Sequence, residues 1–316
     1  MGERFKIPSP LIIFVFRRFA NKLMRYDKYR FIWSILFLLP AIIIFSLLYI
    51  WPLVLAIVSS FTQWNGFEPM KFVGLGNYVE IFKDKDFHAA LVNTLKWAGY
   101  AAFVHVPFGV LVALVFARKR PGWRFVRACF MIPNIISEAA LAILFLFVFK
   151  PEVGILNSII HLLGFKNFSI NWLYDPRTAF FSVTNIWLWY AAVITLITMS
   201  ELMSISPSIY EAAKIDGASD IQIDLYINIP LLHRIIGTGV VIAVTAVFKK
   251  FEIIYMTTNG GPGNTTLNIP VMMVNEIVHT NRDGYANALG IILLIMGMSV
   301  MFLSNRLFKM SEKSEY

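Results

Sequence analysis

The feature that most constrains this chain is a series of apolar runs, each long enough to cross a lipid bilayer. A spanning helix needs about 20 predominantly apolar residues to cross about 30 Å of hydrocarbon. Such runs cover residues 33–58, 93–117, 128–149, 179–202, 233–256 and 286–307. Because lipid offers the backbone no hydrogen-bond partners, each run is predicted to be helical. The expected fold class is therefore an all-α integral membrane protein with six transmembrane helices.

The composition excludes an ordinary soluble enzyme. Hydrophobic residues make up 58% of the chain and charged residues only 15%, whereas a typical soluble domain is about 45–50% apolar and about 25% charged. The net charge of +9 does not require a nucleic-acid partner, because basic segments of membrane proteins are held at the anionic cytoplasmic leaflet.

The basic residues are distributed unevenly between the two sides of the membrane. The segment 1–32 before the first span is strongly basic. The loop after the second span is also basic, with Arg118, Lys119, Arg120, Arg124 and Arg127. Since Lys and Arg concentrate in cytoplasmic loops, both termini are expected in the cytoplasm. The predicted organisation is a basic leader over 1–32, a transmembrane domain over 33–308 and a cytoplasmic tail over 309–316. The leader either lies on the membrane surface or only fixes topology.

The loop between the fourth and fifth runs, residues 206–230, predicts a short helix–turn–helix. Ser206 suits an N-cap, and Pro207 suits the first helical position. Asp216 and Gly217 mark a turn at which the chain reverses, and Pro230 is expected to end the second helix. Small residues would let another surface approach closely; they are Ala212, Ala213 and Ala218.

This loop resembles the EAA loop of bacterial ABC importer permeases. The residues that carry the resemblance are Glu211, Ala212, Ala213, Asp216, Gly217, Ala218, Ile227 and Pro230. In that family the loop forms a coupling helix that docks on an ATPase subunit and transmits its nucleotide-driven closure to the membrane helices. One departure is Asp224, where the family usually has an aromatic residue; Tyr226 is the ring that could replace it.

Two further stretches resemble the carbohydrate branch of the same family, similar to permeases of maltose, glycerol-phosphate and oligosaccharide importers. One comprises Phe61–Gly66 and Phe72–Tyr78, and the other comprises Thr258–Gly263 with Thr265 and Thr266. Their glycines permit turns with positive φ. The resemblance implies a bacterial plasma (inner) membrane location, two ATPase subunits that bind ATP and Mg²⁺, a second permease chain, identical or different, and an extracytoplasmic solute-binding protein. It implies no cofactor in this chain itself.

The fourth run carries an expected substrate path. Asn185, Trp187, Trp189 and Tyr190 predict an aromatic and polar cluster, and such groups suit the ring faces and hydroxyl edges of a sugar. Resemblance to the maltose permease places Asn185 and Leu188 on its sugar-contacting segment. Packing between helices, with interfacial aromatic rings, is the alternative.

The fifth run carries Lys249, Lys250 and Glu252. Resemblance to the maltose permease matches Lys250 to a sugar-contacting position. Adjacent helical positions point about 100° apart, so one lysine is expected to line the path while the other pairs with Glu252 or snorkels outward. A basic path would attract an acidic substrate. The hypothesis is an oligosaccharide bearing carboxylates, such as a uronate oligomer; importers of alginate or pectin fragments are examples. Two snorkelling lysines are the alternative.

Several chemistries find no support in the sequence. There is no G-x-x-x-x-G-K-[ST] phosphate loop, so a separate subunit must hydrolyse ATP. The five histidines form no metal-binding motif at helical spacing. A permease of the same superfamily for a non-sugar solute, such as a glycerophosphodiester, is the alternative function. A membrane-bound enzyme or assembly factor would leave the EAA-like loop unexplained.

Overall fold

The computed structural model describes residue 29 and residues 31–165 and 167–308, in which helices dominate. In chain order the helices are α1 (Phe31–Ser60), α2 (Gly76–Lys83), α3 (Lys85–Ala117), α4 (Trp123–Asn134), α5 (Glu138–Val148), α6 (Ile155–Leu162), α7 (Ala179–Leu202), α8 (Pro207–Ile215), α9 (Asp220–Leu231), α10 (His233–Phe248), α11 (Glu252–Thr257), α12 (Ile269–Thr280) and α13 (Asp283–Phe308). Of these described residues, those up to Ala56 belong to one compact unit and those from Ile57 onward belong to a second.

Four helices of the described residues, α1, α3, α7 and α13, are long and apolar enough to cross a membrane. The number rises to six if each of two bent helix pairs is one span. This confirms the predicted all-α, multi-pass class. The predicted tail and nearly all of the predicted leader lie outside the described residues, so these two boundaries stay predictions.

The core of the second unit is formed by α3, α7, α10 and α13. α3 packs along α7, α10 lies against both, and α13 packs on α10. A Cβ at Gly109 of α3 would lie 2.8 Å from the Cβ of Ile194 in α7, so glycine is required for this close approach. Thr195 Oγ1 donates a hydrogen bond to the Gly109 carbonyl at 2.9 Å. α3 and α7 are thereby held as one rigid pair.

The third predicted span, 128–149, is not one continuous helix. α4 and α5 meet at an angle of 101°. The break follows a 3₁₀ turn over Ile132–Asn134 that contains Pro133, whose ring removes one backbone donor from the ladder. Ser137 then caps the new helix by accepting a hydrogen bond from the Ala140 N–H at 3.3 Å. The polar residues Asn134, Ser137 and Glu138 stand at the break, and the prediction included them in one span because long apolar stretches flank them on both sides.

The fifth predicted span, 233–256, ends earlier than expected. α10 ends at Phe248, and residues 249–251 are not helical before α11 begins. At its other end α10 bends by 70° from α9. The prediction that Pro230 ends the second helix of the loop is also wrong, since α9 continues to Leu231. A π-helical turn over Asp224–Asn228 makes Pro230 the second residue of a new turn, where proline loses no hydrogen bond.

The second unit has two distinct ends. At the loop end, an antiparallel strand pair, β1 (Thr62–Gln63) and β2 (Lys71–Phe72), lies with the segment 258–285. Asn93 Nδ2 donates to the carbonyls of Asn264 and Leu267 at 2.9 Å each. The opposite end, which we call the hairpin end, carries α8 and α9. The 33-residue helix α3 covers roughly 50 Å between the two ends.

Candidate functional site

The helical hairpin, residues 206–231, consists of α8 and α9 joined by a tight turn. Gly217 has φ of +78°, a left-handed conformation that favours glycine. Ser219 and Gln222 form a capping box at the start of α9, which satisfies two free backbone donors reciprocally. Ser206 takes the N-cap position of α8, but its side chain does not cap the helix. It lies 2.8 Å from the Ser208 hydroxyl instead.

The hairpin presents most of the residues that resemble the EAA loop to the outside. Glu211, Ala212, Asp216, Gly217 and Pro230 are exposed, Ala218 is half-buried and Ala213 is buried. Ile215 at the end of α8 is 86% exposed, which is costly for a large apolar side chain in water. The structure therefore brings these residues together on one projecting element with an apolar tip.

A polar network fixes the hairpin to the rest of the molecule. Arg118, directly after α3, forms an ion pair with the half-buried Asp224 of α9. Asn228 Nδ2 donates to Asp224 Oδ1 at 2.8 Å, and the Tyr210 hydroxyl donates to Asn228 Oδ1 at 2.9 Å. Burial, with the Asp224 carboxylate nearby, raises the pKa of Tyr210, which keeps it a donor. Tyr226, the ring that could replace the family's aromatic residue at Asp224, is 76% exposed, and its role stays a prediction.

The predicted cluster in α7 is divided between two faces. Asn185 and Trp189 are exposed and lie one turn apart, and Leu188 is half-buried beside them. Trp187 is 4% exposed and packs edge-on against Tyr100, with ring centroids 5.3 Å apart. Two residues along a helix correspond to about 200° of rotation, so Trp187 cannot share a face with Asn185 or Trp189. A single four-residue cluster was therefore a wrong expectation.

The two lysines have different environments. Lys249 is exposed, whereas Lys250 is only 7% exposed. Lys250 Nζ lies 2.6 Å from Glu138 Oε1 and 5.2 Å from the centre of the Tyr190 ring. Of the two alternatives for the second lysine, pairing with Glu252 is not found within the described residues, and outward snorkelling of the exposed Lys249 stays a prediction; Lys250 pairs with Glu138. The structure thus brings Tyr190 and Lys250 together and leaves Asn185 and Trp189 outside this group.

Irregular turns in two helices and the ends of two others meet around this ion pair. We call this group of residues the junction: His105, Glu138, Tyr190 and Lys250. His105 ends a π-helical turn in α3, and Tyr190 lies in a 3₁₀ turn within α7. Glu138 begins α5 after one break, and Lys250 follows α10 in the other. Interrupted helices of this kind recur at functional sites of membrane transporters.

Helix ends favour both charges of the junction. Glu138 is the first residue of α5, where the partial positive charge of the helix stabilises an anion. Lys250 follows the end of α10, where the partial negative charge stabilises a cation. Asn268 Nδ2 donates to the Lys250 carbonyl at 2.6 Å, and the Tyr190 hydroxyl donates to the Ile136 carbonyl at 3.1 Å. Both sides of the ion pair are therefore held in place.

A cavity of about 140 Å³ adjoins the junction, and its lining includes His105, Glu138, Trp187 and Lys250. His105 Nδ1 is buried and has no hydrogen-bond partner. Sequence reasoning missed both His105 and Glu138. The available signal was the cost of placing an ionisable residue inside a predicted span, which makes each such residue a functional candidate.

The loop end carries a larger, open cleft of about 510 Å³ between the strand pair, α2 and the start of α13. Arg282 Nη2 lies 2.6 Å from Glu80 Oε1, and its guanidinium lies over the Tyr285 ring at 4.2 Å. The Gly284 N–H donates to the Trp64 carbonyl at 3.1 Å. The first stretch that resembles the carbohydrate branch, which contains Trp64, therefore packs against the start of α13 here.

Comparison with known proteins identifies a membrane transport family. Residues 105–314 match the family described as binding-protein-dependent transport system inner membrane component. A probable ABC transporter permease, YurN of Bacillus subtilis, is 32% identical over 87% of this chain and 95% of its own length. The arabinooligosaccharides transport system permease AraP of the same species is 30% identical over 86% and 87%. A chain of a bacterial alginate ABC transporter, solved in complex with an alginate pentasaccharide-bound periplasmic protein, has the same fold. Its TM-score is 0.78 at 22% identity, over 89% of this chain and 96% of that one.

Proposed function

The chain belongs to the family of binding-protein-dependent transport system inner membrane components, and we propose that it is the transmembrane subunit of an ATP-driven carbohydrate importer. In this role it forms half of a translocation path through a bacterial plasma membrane. Relatives named for sugar transport support the substrate class, and the breaks between α4 and α5 and between α10 and α11 support a path near the junction.

The observation that carries the proposal is the helical hairpin. It exposes Glu211, Ala212 and the apolar Ile215, so it has a surface suited to a cleft on another protein. We infer that this partner is an ATPase subunit, which binds ATP and Mg²⁺. Closure of two such subunits would move the hairpins of a paired permease together. The network from Tyr210 to Arg118 would carry that movement into α3.

The remaining partners follow from the same proposal. A second permease chain completes the path, and an extracytoplasmic binding protein delivers the substrate at the loop end. The basic segments before the first span and after α3 support a cytoplasmic location for the hairpin end and both termini. Substrate would then enter beside the polar cleft that contains Arg282 and leave beside the hairpin.

An oligosaccharide with carboxylate groups is the substrate class that the charges favour. Lys249 is exposed and makes no ion pair within the described residues, so its charge is available to an anion. Lys250 supplies no such attraction while Glu138 neutralises it. A glycerophosphodiester importer of the same superfamily is the competing function, because its substrate is also anionic.

Reconstitution tests the proposal directly. The complex is purified with its ATPase and binding protein, placed in liposomes, and assayed for ATP hydrolysis with the binding protein loaded with uronate oligomers, neutral oligosaccharides or glycerophosphodiesters. We expect stimulation by an oligosaccharide, and loss of that stimulation in Glu211→Ala. Lys83→Ala, which changes a charged residue near the loop end, is the matched control. Stimulation by the phosphodiester alone would support the competing function.

A further inference from the structure

We propose that Glu138 is an exchangeable counter-ion of Lys250 and, for that reason, determines specificity for substrates that carry a carboxylate. The inference rests on the proposed function as a carbohydrate importer and identifies the residue that selects among carbohydrates. It starts from the 2.6 Å contact between Lys250 Nζ and Glu138 Oε1. While this contact persists, the junction has no net charge from the pair, and a passing substrate experiences no attraction to Lys250.

Lys250 cannot leave this position easily. Its side chain is 8% exposed, its carbonyl accepts a hydrogen bond from the buried Asn268, and its ammonium lies near the face of the Tyr190 ring. A buried ammonium that loses its carboxylate becomes an uncompensated charge, which is strongly unfavourable. Lys250 therefore requires an anion at every stage, whether that anion belongs to the protein or to the substrate.

Glu138 is the more accessible member of the pair. Its side chain is 28% exposed, and it begins α5 directly after the break that follows α4. A ligand can therefore reach the ion pair from the Glu138 side. The adjoining cavity of about 140 Å³ has room for a displaced carboxylate group.

His105 offers the displaced carboxylate a second position. It lines the same cavity, it is 6% exposed, and its Nδ1 has no hydrogen-bond partner among the described residues. A buried ring nitrogen without a partner is unfavourable, and the tautomer with hydrogen on Nδ1 would donate to Glu138 after the exchange. One lysine contact of Glu138 would thus be replaced by one histidine contact.

The exchange discriminates between substrates by charge. A uronate carboxylate replaces the Glu138 carboxylate on Lys250 one for one, so the ammonium stays neutralised throughout. A sugar hydroxyl brings no charge and would leave Lys250 uncompensated, so a neutral sugar leaves the pair intact. Charge-assisted hydrogen bonds are also roughly twice as strong as neutral ones, which increases the difference.

The test compares trigalacturonate with its fully methyl-esterified form, which has the same length and no charge. Binding of both is measured on the assembled importer in lipid nanodiscs. We expect the wild type to prefer the acid. Glu138→Gln should raise this preference about tenfold, because no internal carboxylate competes. Glu252→Gln is the matched control, since Glu252 is exposed and has no ion pair within the described residues; it should leave the preference unchanged.

The double variant Glu138→Gln/Lys250→Gln keeps the test decisive if the single variant does not assemble. It removes both charges together and should lose the preference for the acid. The proposal is overturned if Glu138→Gln shows the wild-type preference, or if the double variant retains it. A wild-type importer that binds both ligands equally contradicts only the role of Glu138. One that binds no carbohydrate, and whose ATPase no carbohydrate stimulates in the liposome assay, contradicts the proposed function itself.

Discussion

Arg118 and Asp224 form an ion pair that joins the end of α3 to the helical hairpin. The side chains are 28% and 17% exposed, and Asn228 extends the contact to Tyr210 in α8. An ion pair with this much burial is screened less by water and salt than one on the surface. The hairpin is therefore fixed to the same long helix that supplies His105 to the junction.

Breaking this ion pair should weaken coupling more than it weakens ATP hydrolysis. Asp224→Asn removes a hydrogen bond to a charged group, worth about 1–3 kcal/mol, and loosens the hairpin on α3. We expect stimulation of the ATPase by the loaded binding protein to fall several-fold while its basal rate persists. Arg120→Gln changes a nearby exposed cation and should behave like the wild type. Restored stimulation in Arg118→Asp/Asp224→Arg would support a direct contact; identical losses in Arg120→Gln would contradict it.

The two adjacent lysines should differ sharply in their effect on stability. Lys250→Gln leaves Glu138 without its partner, and breaking a buried ion pair costs about 3–5 kcal/mol. The lower end applies, since Glu138 stays partly exposed. Lys249→Gln changes an exposed side chain and should cost less than about 0.5 kcal/mol. Thermal unfolding of the purified complex in detergent measures both; equal midpoints for the two variants would refute the assignment.

Gly284 should not tolerate even one added methyl group. A Cβ there would lie 2.1 Å from the Thr62 carbonyl oxygen, which is backbone and cannot move aside cheaply. Overpacking of this kind costs about 1–3 kcal/mol, so Gly284→Ala should lower the yield of folded protein. Gly99→Ala is the matched control in α3, because its Cβ meets nothing within 4 Å. Size-exclusion profiles of the two variants make the comparison, and normal assembly of Gly284→Ala would contradict the packing at the loop end.

The turn of the hairpin should depend on backbone conformation rather than on space. A Cβ at Gly217 meets nothing within 4 Å, but φ is +78°, a conformation that costs most residues about 1–2 kcal/mol. Gly217→Val should therefore increase hydrogen exchange of the amides around Ser219. Gly217→Asn should exchange like the wild type, because asparagine tolerates this conformation. Equal hydrogen exchange in Gly217→Val and Gly217→Asn would contradict a turn that requires the left-handed conformation.

The long helices could be predicted from the sequence because their apolar runs match bilayer thickness. α7 has the bounds expected from hydropathy, and the hairpin followed from Pro207, Gly217 and the small residues between them. These features are local, so a short stretch of sequence contains the whole physical cause. The same holds for the glycines of the loop end, where Gly66 and Gly260 have positive φ.

The junction could not be predicted in the same way. The pairing of Lys250 with Glu138 joins residues 112 positions apart, and it depends on where α10 ends and where α5 begins. Polar residues stand at both breaks, Asn134 to Glu138 and Lys249 to Glu252, but polar residues also occur inside unbroken helices, so the spans 128–149 and 233–256 were predicted to be continuous. Glu252 was one predicted partner of a lysine because it is close in sequence, but tertiary packing places Glu138 beside Lys250.

The most direct test of the central claim is crosslinking from single cysteines in the assembled importer, in a Cys129→Ser background that removes the only native cysteine. Ile215→Cys lies on the exposed tip of α8, and Phe67→Cys, at a residue that is 94% exposed, lies at the loop end. The account predicts that Ile215→Cys crosslinks to the ATPase subunit and that Phe67→Cys does not. Crosslinking of the ATPase from Phe67→Cys, or from neither position in an actively transporting complex, would contradict the assignment of coupling to the helical hairpin.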